Sequence, residues 1–104
     1  MIDPKLAIPK INRLLKEVLS GAGVDPNGTF AAIKCITQEL RALATRNEMS
    51  DYTFSKFNAL DWHVNAYFGL YSDDGHSQEQ RYMWAIQELS ALADRECFGT
   101  LDYF

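Results

Sequence analysis

The chain has 104 residues, of which 47% are hydrophobic and 12% aromatic, and a formal net charge of −4. This length and composition indicate one globular domain spanning residues 1–104 and exclude a disordered chain. No apolar run approaches the roughly 18 residues of a membrane span, and the first residues lack the continuous apolar region of a signal peptide, so we expect a cytoplasmic protein without membrane contact.

Charge is unevenly distributed along the chain. Residues 1–56 contain eight basic and six acidic residues, whereas residues 57–104 contain two basic and eight acidic residues. A nucleic-acid-binding module is normally basic overall, so nucleic acid is not an expected partner. The acidic half instead predicts attraction to another protein with a basic surface.

Hydrophobic periodicity predicts an all-α fold, a single-domain bundle of four helices. The first helix is expected from about Pro9 to Ser20, after a short arm, because a proline inside a helix removes a hydrogen bond. Either of the two glycines that follow, Gly21 or Gly23, should end it.

The second helix should follow a turn rich in glycine, asparagine and proline. Thr29 is its expected N-cap, Asp25 is the alternative start, and the helix should run to about Arg46. The predicted buried stripe consists of four aliphatic residues: Ile33, Ile36, Leu40 and Leu43.

The stretch 51–71 predicts a long aromatic central helix around which the other helices pack. One face collects apolar residues from Phe54 to Tyr71 and includes Asp61. A second apolar stripe lies nearly opposite: Tyr52, Ala59, Trp62, Ala66 and Leu70. A helix that is apolar on two faces must be covered on both. We therefore expect the second stripe to be covered by the chain's own ends, by another copy in a homodimer or by a foreign partner.

The fourth helix has a clear start signal, because Ser77 followed by Gln80 is a capping-box pattern. This helix should run to about Cys97. Its predicted buried residues are Tyr82, Met83, Ile86, Leu89, Ala93 and Cys97. Trp84 falls on the opposite side, together with Glu88 and Arg95.

Residue types that bind metals do not form a recognisable site. His76 lies near Asp73 and Asp74, but the spacing is neither that of an EF-hand loop nor that of a zinc site. His63 is expected to be an ordinary histidine on a helix surface. We therefore expect no metal and no cofactor.

Asp61 interrupts an apolar face and is expected to be substantially buried and hydrogen-bonded. Tyr82, Thr37 or an arginine from a neighbouring helix is the expected donor. A catalytic carboxylate is the alternative role. The two cysteines, Cys35 and Cys97, are expected to stay reduced, with a disulfide between them as the alternative.

Both tryptophans fall outside the predicted core stripes, and tryptophan is enriched at binding hot spots. The sequence therefore favours a small acidic protein-interaction module, a regulator of the inhibitor, immunity or anti-activator type that binds through aromatic helix faces. The expected protein-binding residues are Trp84, Trp62, Glu88, Arg95, Tyr52 and Leu70. We expect no catalytic residues.

Two other functions remain as alternatives. One is a small enzyme or enzyme subunit that uses Asp61. The other is a helix-turn-helix nucleic-acid binder, suggested by two short helices joined by a glycine-rich turn, although this connection is longer than the usual three or four residues.

Overall fold

A computed structural model of the protein describes residues 2–21, 23–71 and 75–104. These residues form four α-helices and no strand, which confirms the predicted all-α bundle. The helices are α1 (Pro4–Ser20), α2 (Pro26–Arg46), α3 (Asp51–Tyr67) and α4 (Gln78–Ala93), followed by a 3₁₀ turn at Leu101–Tyr103. Within the described residues, no helix is both long and apolar enough to cross a lipid bilayer.

The helices pack as a ring. α1 lies against α2 and α4, and α3 also lies against α2 and α4, with the most extensive contact between α3 and α4. Residues from all four helices fill the centre: Ile8, Ile11, Leu15, Ile33, Leu40, Phe57, Leu60, Leu89 and Leu92. Burying one large apolar side chain contributes about 1.5–3 kcal/mol, so this cluster is the main source of stability.

α3 forms one side of this ring, which corrects the expectation that the other helices pack around it. Phe57, Leu60 and Val64 face the core as predicted. In the second stripe, however, Tyr52 and Trp62 are 43% and 50% exposed. A helix in a four-helix ring has neighbours on two sides, so its outer face stays in water.

α1 begins five residues earlier than predicted. Asp3 Oδ1 accepts a hydrogen bond of 3.0 Å from the Lys5 backbone N–H and caps the helix, and Pro4 suits the first helical position. Pro9 lies inside the helix, where it removes only the donor for the carbonyl of the exposed Lys5. Burial of Ile8, which is fully covered, favours the longer helix.

α2 begins with the alternative cap, and the expected one is wrong. Asp25 Oδ1 accepts a hydrogen bond of 3.2 Å from the Asn27 backbone N–H, while Thr29 is buried within the first turns. A proline follows Asp25 directly, at the position that tolerates it best. Gly21 ends α1 in the left-handed conformation with φ 67°, as predicted.

α3 ends at Tyr67, four residues before the predicted end. Gly69 has φ 80°, and the backbone N–H of Leu70 donates to the carbonyl of Asn65 at 3.0 Å. This is the Schellman pattern that ends a helix at a left-handed glycine.

α4 begins at the predicted cap, where Ser77 Oγ accepts from the Gln80 backbone N–H at 3.1 Å. It ends at Ala93 and not at Cys97, because Asp94 is extended, with φ −67° and ψ 164°.

The buried face of α4 is rotated relative to the prediction. Met83 is 52% exposed. The buried residues are Arg81, Tyr82, Ala85, Leu89, Leu92 and Ala93. Ala85 is small and lets α4 approach its neighbours closely. Arg81 buries its aliphatic stem, as long cationic side chains can, while its Nη1 donates to the carbonyl of Ala66 at 3.2 Å.

Both cysteines are free thiols, so the disulfide alternative is wrong. Cys35 is exposed and Cys97 is partly buried. Thr53 Oγ1, which is fully buried, donates to Cys97 Sγ at 3.2 Å. Cys97 therefore helps to satisfy a buried hydroxyl between α3 and the turn after α4.

Candidate functional site

A continuous group of rings covers the outer side of α3 and the start of α4. We call it the aromatic surface, and it consists of Trp62, His63, Tyr71, His76 and Trp84. Two of these residues belong to α3, one to α4, and two to the segments that follow α3 and precede α4.

The rings contact one another in sequence across this surface. Trp62 stacks on Tyr71, with centroids 5.2 Å apart and planes at 28°, and meets His63 edge-on at 5.4 Å and 87°. His63 also lies 6.0 Å from Trp84 at 35°. His76 meets Trp84 edge-on at 4.7 Å and 85°. These are favourable aromatic separations, so the rings hold one another in place.

The aromatic surface is only partly covered by the rest of the chain. Trp62 is 50% exposed and Tyr71 is 42% exposed, whereas His63 and Trp84 are half-buried. Four of the rings, with Ala66 and Arg81, line an open depression of about 260 Å³. Contiguous exposed apolar rings with a polar edge are typical of protein contact sites.

A line of polar contacts continues the aromatic surface along α3 and α4. Lys56 Nζ lies 3.5 Å from Glu88 Oε2 and 5.3 Å from the centre of the Tyr52 ring. Glu88 follows Trp84 by one helical turn. These polar contacts therefore connect Tyr52, near the start of α3, to the aromatic surface.

The six predicted protein-binding residues are placed in different ways. Trp62 and Trp84 both contact His63, and Tyr52 and Glu88 both contact Lys56, so these four share one side of the bundle. Leu70 is 60% exposed and precedes Tyr71.

Arg95, the last of the six, lies beyond the end of α4. It lines a separate depression with Gly99 and Leu101. It therefore does not join the ring cluster.

Sequence reasoning missed three members of the aromatic surface: His63, His76 and Tyr71. The two histidines were each interpreted as solvated surface residues, and Tyr71 was assigned to the core face of a helix that ends earlier. Gly69 was the available signal. A helix end at this glycine frees Tyr71 to stack on Trp62.

His63 is electrostatically perturbed. Partial burial lowers its pKa below the ordinary 6.5, and this effect exceeds the opposing attraction of Glu88. A base whose pKa is lower in the folded than in the unfolded chain favours folding when it is neutral. Its contribution is complete above pH 6.5 and is lost as the pH falls through the folded-state pKa.

The stability of the fold should therefore fall on mild acidification, partly through His63. His63→Phe keeps a ring between the two indoles and removes the titration. Urea unfolding at several pH values should show a shallower loss of unfolding free energy for His63→Phe than for the wild type below pH 6.5. Identical pH profiles would show that His63 does not contribute.

Asp61 lies away from the aromatic surface and is engaged in two ion pairs. Lys34 Nζ lies 3.1 Å from Oδ1 and Arg41 Nη2 lies 3.3 Å from Oδ2; Arg41 also donates to Asn58 Oδ1 at 3.1 Å. The predicted arginine from a neighbouring helix is confirmed. Substantial burial is wrong, because the Asp61 side chain is 39% exposed.

The other two expected donors to Asp61 are engaged elsewhere. Tyr82 Oη donates to Asn12 Oδ1 at 2.7 Å, and Thr37 Oγ1 donates to the Lys34 carbonyl at 3.0 Å. Lys34 and Arg41 of α2 therefore pair with Asp61, where a hydroxyl donor was the other expectation.

Asp61→Asn should destabilise the protein by only about 1 kcal/mol, because partly exposed ion pairs contribute little. The amide keeps the shape and loses the charge. Urea unfolding at low and high salt should show a difference from wild type that shrinks as salt rises. Asp102→Asn, at an exposed position, is the matched control. A loss above about 3 kcal/mol would instead indicate a buried pair.

Metal binding has no support in the described part of the chain, where no three histidine, cysteine, aspartate or glutamate side chains cluster closely enough to hold an ion. The prediction about Asp73 and Asp74 beside His76 falls on residues outside the described ranges.

No family model, curated protein or solved structure matches this chain.

Proposed function

We propose that this protein is a small protein-interaction module that binds another protein through the aromatic surface. The observation that carries the proposal is the exposure of Trp62, half in water, within a set of rings that already contact one another. Tryptophan gives large binding energies when a partner covers it. Rings that are packed before binding lose little conformational freedom on binding.

The charge of the chain supports a partner with a basic surface. Residues 57–104, which include α4 and the whole aromatic surface, contain two basic and eight acidic residues. Opposite charge on the partner would accelerate association, and salt would slow it. A regulator of the inhibitor, immunity or anti-activator type fits this chemistry, since such a protein acts by covering a site on its partner. This mode of action needs no cofactor, nucleic acid or membrane.

A second copy of the chain is the alternative occupant of this side of the bundle. Tyr52, Trp62 and Leu70, three residues of the predicted second apolar stripe, are 43%, 50% and 60% exposed, and symmetric pairing is the commonest form of oligomer. Sedimentation over a range of concentrations separates the two cases, because a homodimer dissociates on dilution. A monomer throughout would leave a foreign partner.

The enzyme alternative has less support, because both carboxylate oxygens of Asp61 are held by cations of α2. This arrangement is sufficient to explain an acid at that position. The helix-turn-helix alternative also has less support. The first turns of α2, from Pro26 to Phe30, carry no cationic side chain that could contact a base or a phosphate.

Affinity capture tests the proposal. Immobilised wild-type protein and a Trp62→Ala variant are incubated with lysate of the native host, and bound proteins are identified by mass spectrometry. A genuine partner is retained by wild type and lost with Trp62→Ala. Leu6→Ala is the matched control, because Leu6 is 73% exposed on α1. A partner lost equally with both variants, or with neither, would contradict docking at the aromatic surface.

A further inference from the structure

The two histidines of the sequence contact the same tryptophan. The His63 ring lies 6.0 Å from the Trp84 ring, and the His76 ring lies 4.7 Å from it. His63 belongs to α3, whereas His76 precedes α4. Two imidazole rings therefore form part of the surface proposed for docking.

The charged groups beside these rings come from both α3 and α4. Arg81 of α4 lines the same depression as both histidines, and Lys56 of α3 lies beside Glu88. Glu88 is the acid whose charge acts on His63. Its Oε2 is buried and makes no hydrogen bond, although Lys56 lies 3.5 Å away. Protonated His63 would therefore compete with Lys56 for the Glu88 carboxylate.

We propose that His63 makes docking on the aromatic surface sensitive to acid, because protonation of its imidazole separates the packed rings and weakens partner binding. This inference rests on the proposed function of the surface. It adds a control by pH that docking alone does not require.

The physical cause is the difference between a neutral and a charged imidazole. Neutral imidazole packs between indoles as a ring with little desolvation cost. Imidazolium needs water or a counter-charge, so His63 must turn towards solvent or draw Glu88 away from Lys56. Either movement changes the environment of Trp84.

A docked partner would increase this effect. It would bury the positive charge of the His63 imidazolium, which costs binding free energy when this charge is not fully paired. A partner with a basic surface would also be repelled. Because partial burial lowers the pKa of His63 below 6.5, the response is expected in mildly acidic solution.

Nuclear magnetic resonance of the isolated chain tests the ring movement without a partner. The imidazole Cε1–H and the indole Nε1–H resonances are followed between about pH 8 and pH 5. The Trp84 indole resonance should shift with the midpoint of His63. His63→Phe should abolish this shift, whereas His76→Gln should keep it.

The double variant His63→Phe/His76→Gln is the decisive control, because it should show no shift of the Trp84 resonance. Far-ultraviolet circular dichroism at both ends of the pH range verifies that each variant is folded. A Trp84 resonance that stays constant while His63 titrates, or that shifts equally in the double variant, would overturn the proposal. His76→Gln changes an exposed position and keeps His63, so a Trp84 shift retained in this variant supports the inference even where His63→Phe does not fold, and its loss would contradict it.

Binding to the captured partner gives a second readout. Affinity should be at least about tenfold weaker at pH 5.5 than at pH 7.5 for wild type, and nearly independent of pH for the double variant. Equal pH dependence in both proteins would overturn the acid sensitivity while leaving docking through Trp62 intact. If the capture experiment retained no partner that depends on Trp62, the proposed docking would be wrong. The pH titration of the Trp84 resonance would still test the effect of His63 on the aromatic surface.

Discussion

Phe57→Ala should lower the free energy of unfolding by about 3–5 kcal/mol. Phe57 is 1% exposed and packs against Phe98, with ring centroids 6.1 Å apart and planes at 79°. The Arg41 guanidinium lies 5.3 Å from the centre of the Phe57 ring. Truncation removes apolar burial, an aromatic pair and a cation–π contact at once, and it leaves a cavity between α3 and the segment after α4.

Urea unfolding followed by far-ultraviolet circular dichroism measures this loss. Met83→Ala is the matched control on α4, since Met83 is 52% exposed and its truncation should cost no more than about 0.5 kcal/mol. Comparable losses for the two variants would contradict the assignment of the buried faces. The comparison also checks the rotation of α4, because the sequence pattern predicts Met83 in the core.

The strongest periodic signals in the sequence led to correct packing. Ile33 and Leu40 are fully buried, and Leu43 is 8% exposed, as the stripe of α2 predicts. These residues are aliphatic and lie at spacings of seven and three, which one helix face collects. The cap at Ser77 was equally predictable, because a capping box is a local hydrogen-bond pattern.

Other features depend on tertiary contacts that outweigh local propensity, and a local sequence pattern does not show these contacts. Pro9 disfavours a helix locally, but burial of Ile8 and the Asp3 cap outweigh the lost hydrogen bond. Arg81 would be placed in solvent by its charge, yet its guanidinium reaches a carbonyl of α3. Such results are decided by tertiary contacts, which override the propensity of a single residue.

The candidate site was predictable in part. Trp62 and Tyr52 were expected outside the core, and both are exposed. The contacts of His63 and His76 with Trp84 could not be predicted, because they require the register between α3 and α4. Ala85 of α4, for example, is fully buried but carries little signal in a hydrophobicity pattern.

The arrangement of the four helices places the residues that stabilise the fold and the residues proposed for binding on different sides of α3. The core enclosed by the four helices contains mainly aliphatic residues, together with Phe57, Tyr67 and Tyr82, whereas Trp62 lies on the outer face of α3. Trp84 is less separable, because it is half-buried and contacts both histidines. Trp62 is therefore the better position for a variant that affects binding alone.

Trp62→Ala should weaken binding to the captured partner by about 2 kcal/mol or more, which is roughly a thirtyfold rise in Kd. The indole is 50% exposed, and it stacks on Tyr71 and meets His63 edge-on. A partner that covers this surface removes the remaining indole area from water. Folding stability should change by only about 1 kcal/mol, since the buried half of the ring contacts neighbours that are themselves near the surface.

Calorimetric titration of the purified partner, together with urea unfolding of each variant, measures both quantities. Trp62→Phe should lose less affinity than Trp62→Ala, because phenylalanine can still stack on Tyr71. Leu6→Ala removes an exposed apolar side chain from α1 and should leave Kd unchanged. The expected pattern is a large change in Kd with a small change in stability at Trp62 alone. A rise in Kd that merely follows the loss of unfolding free energy across the variants would mean that Trp62 affects binding through the fold. The aromatic surface would then not be the binding site.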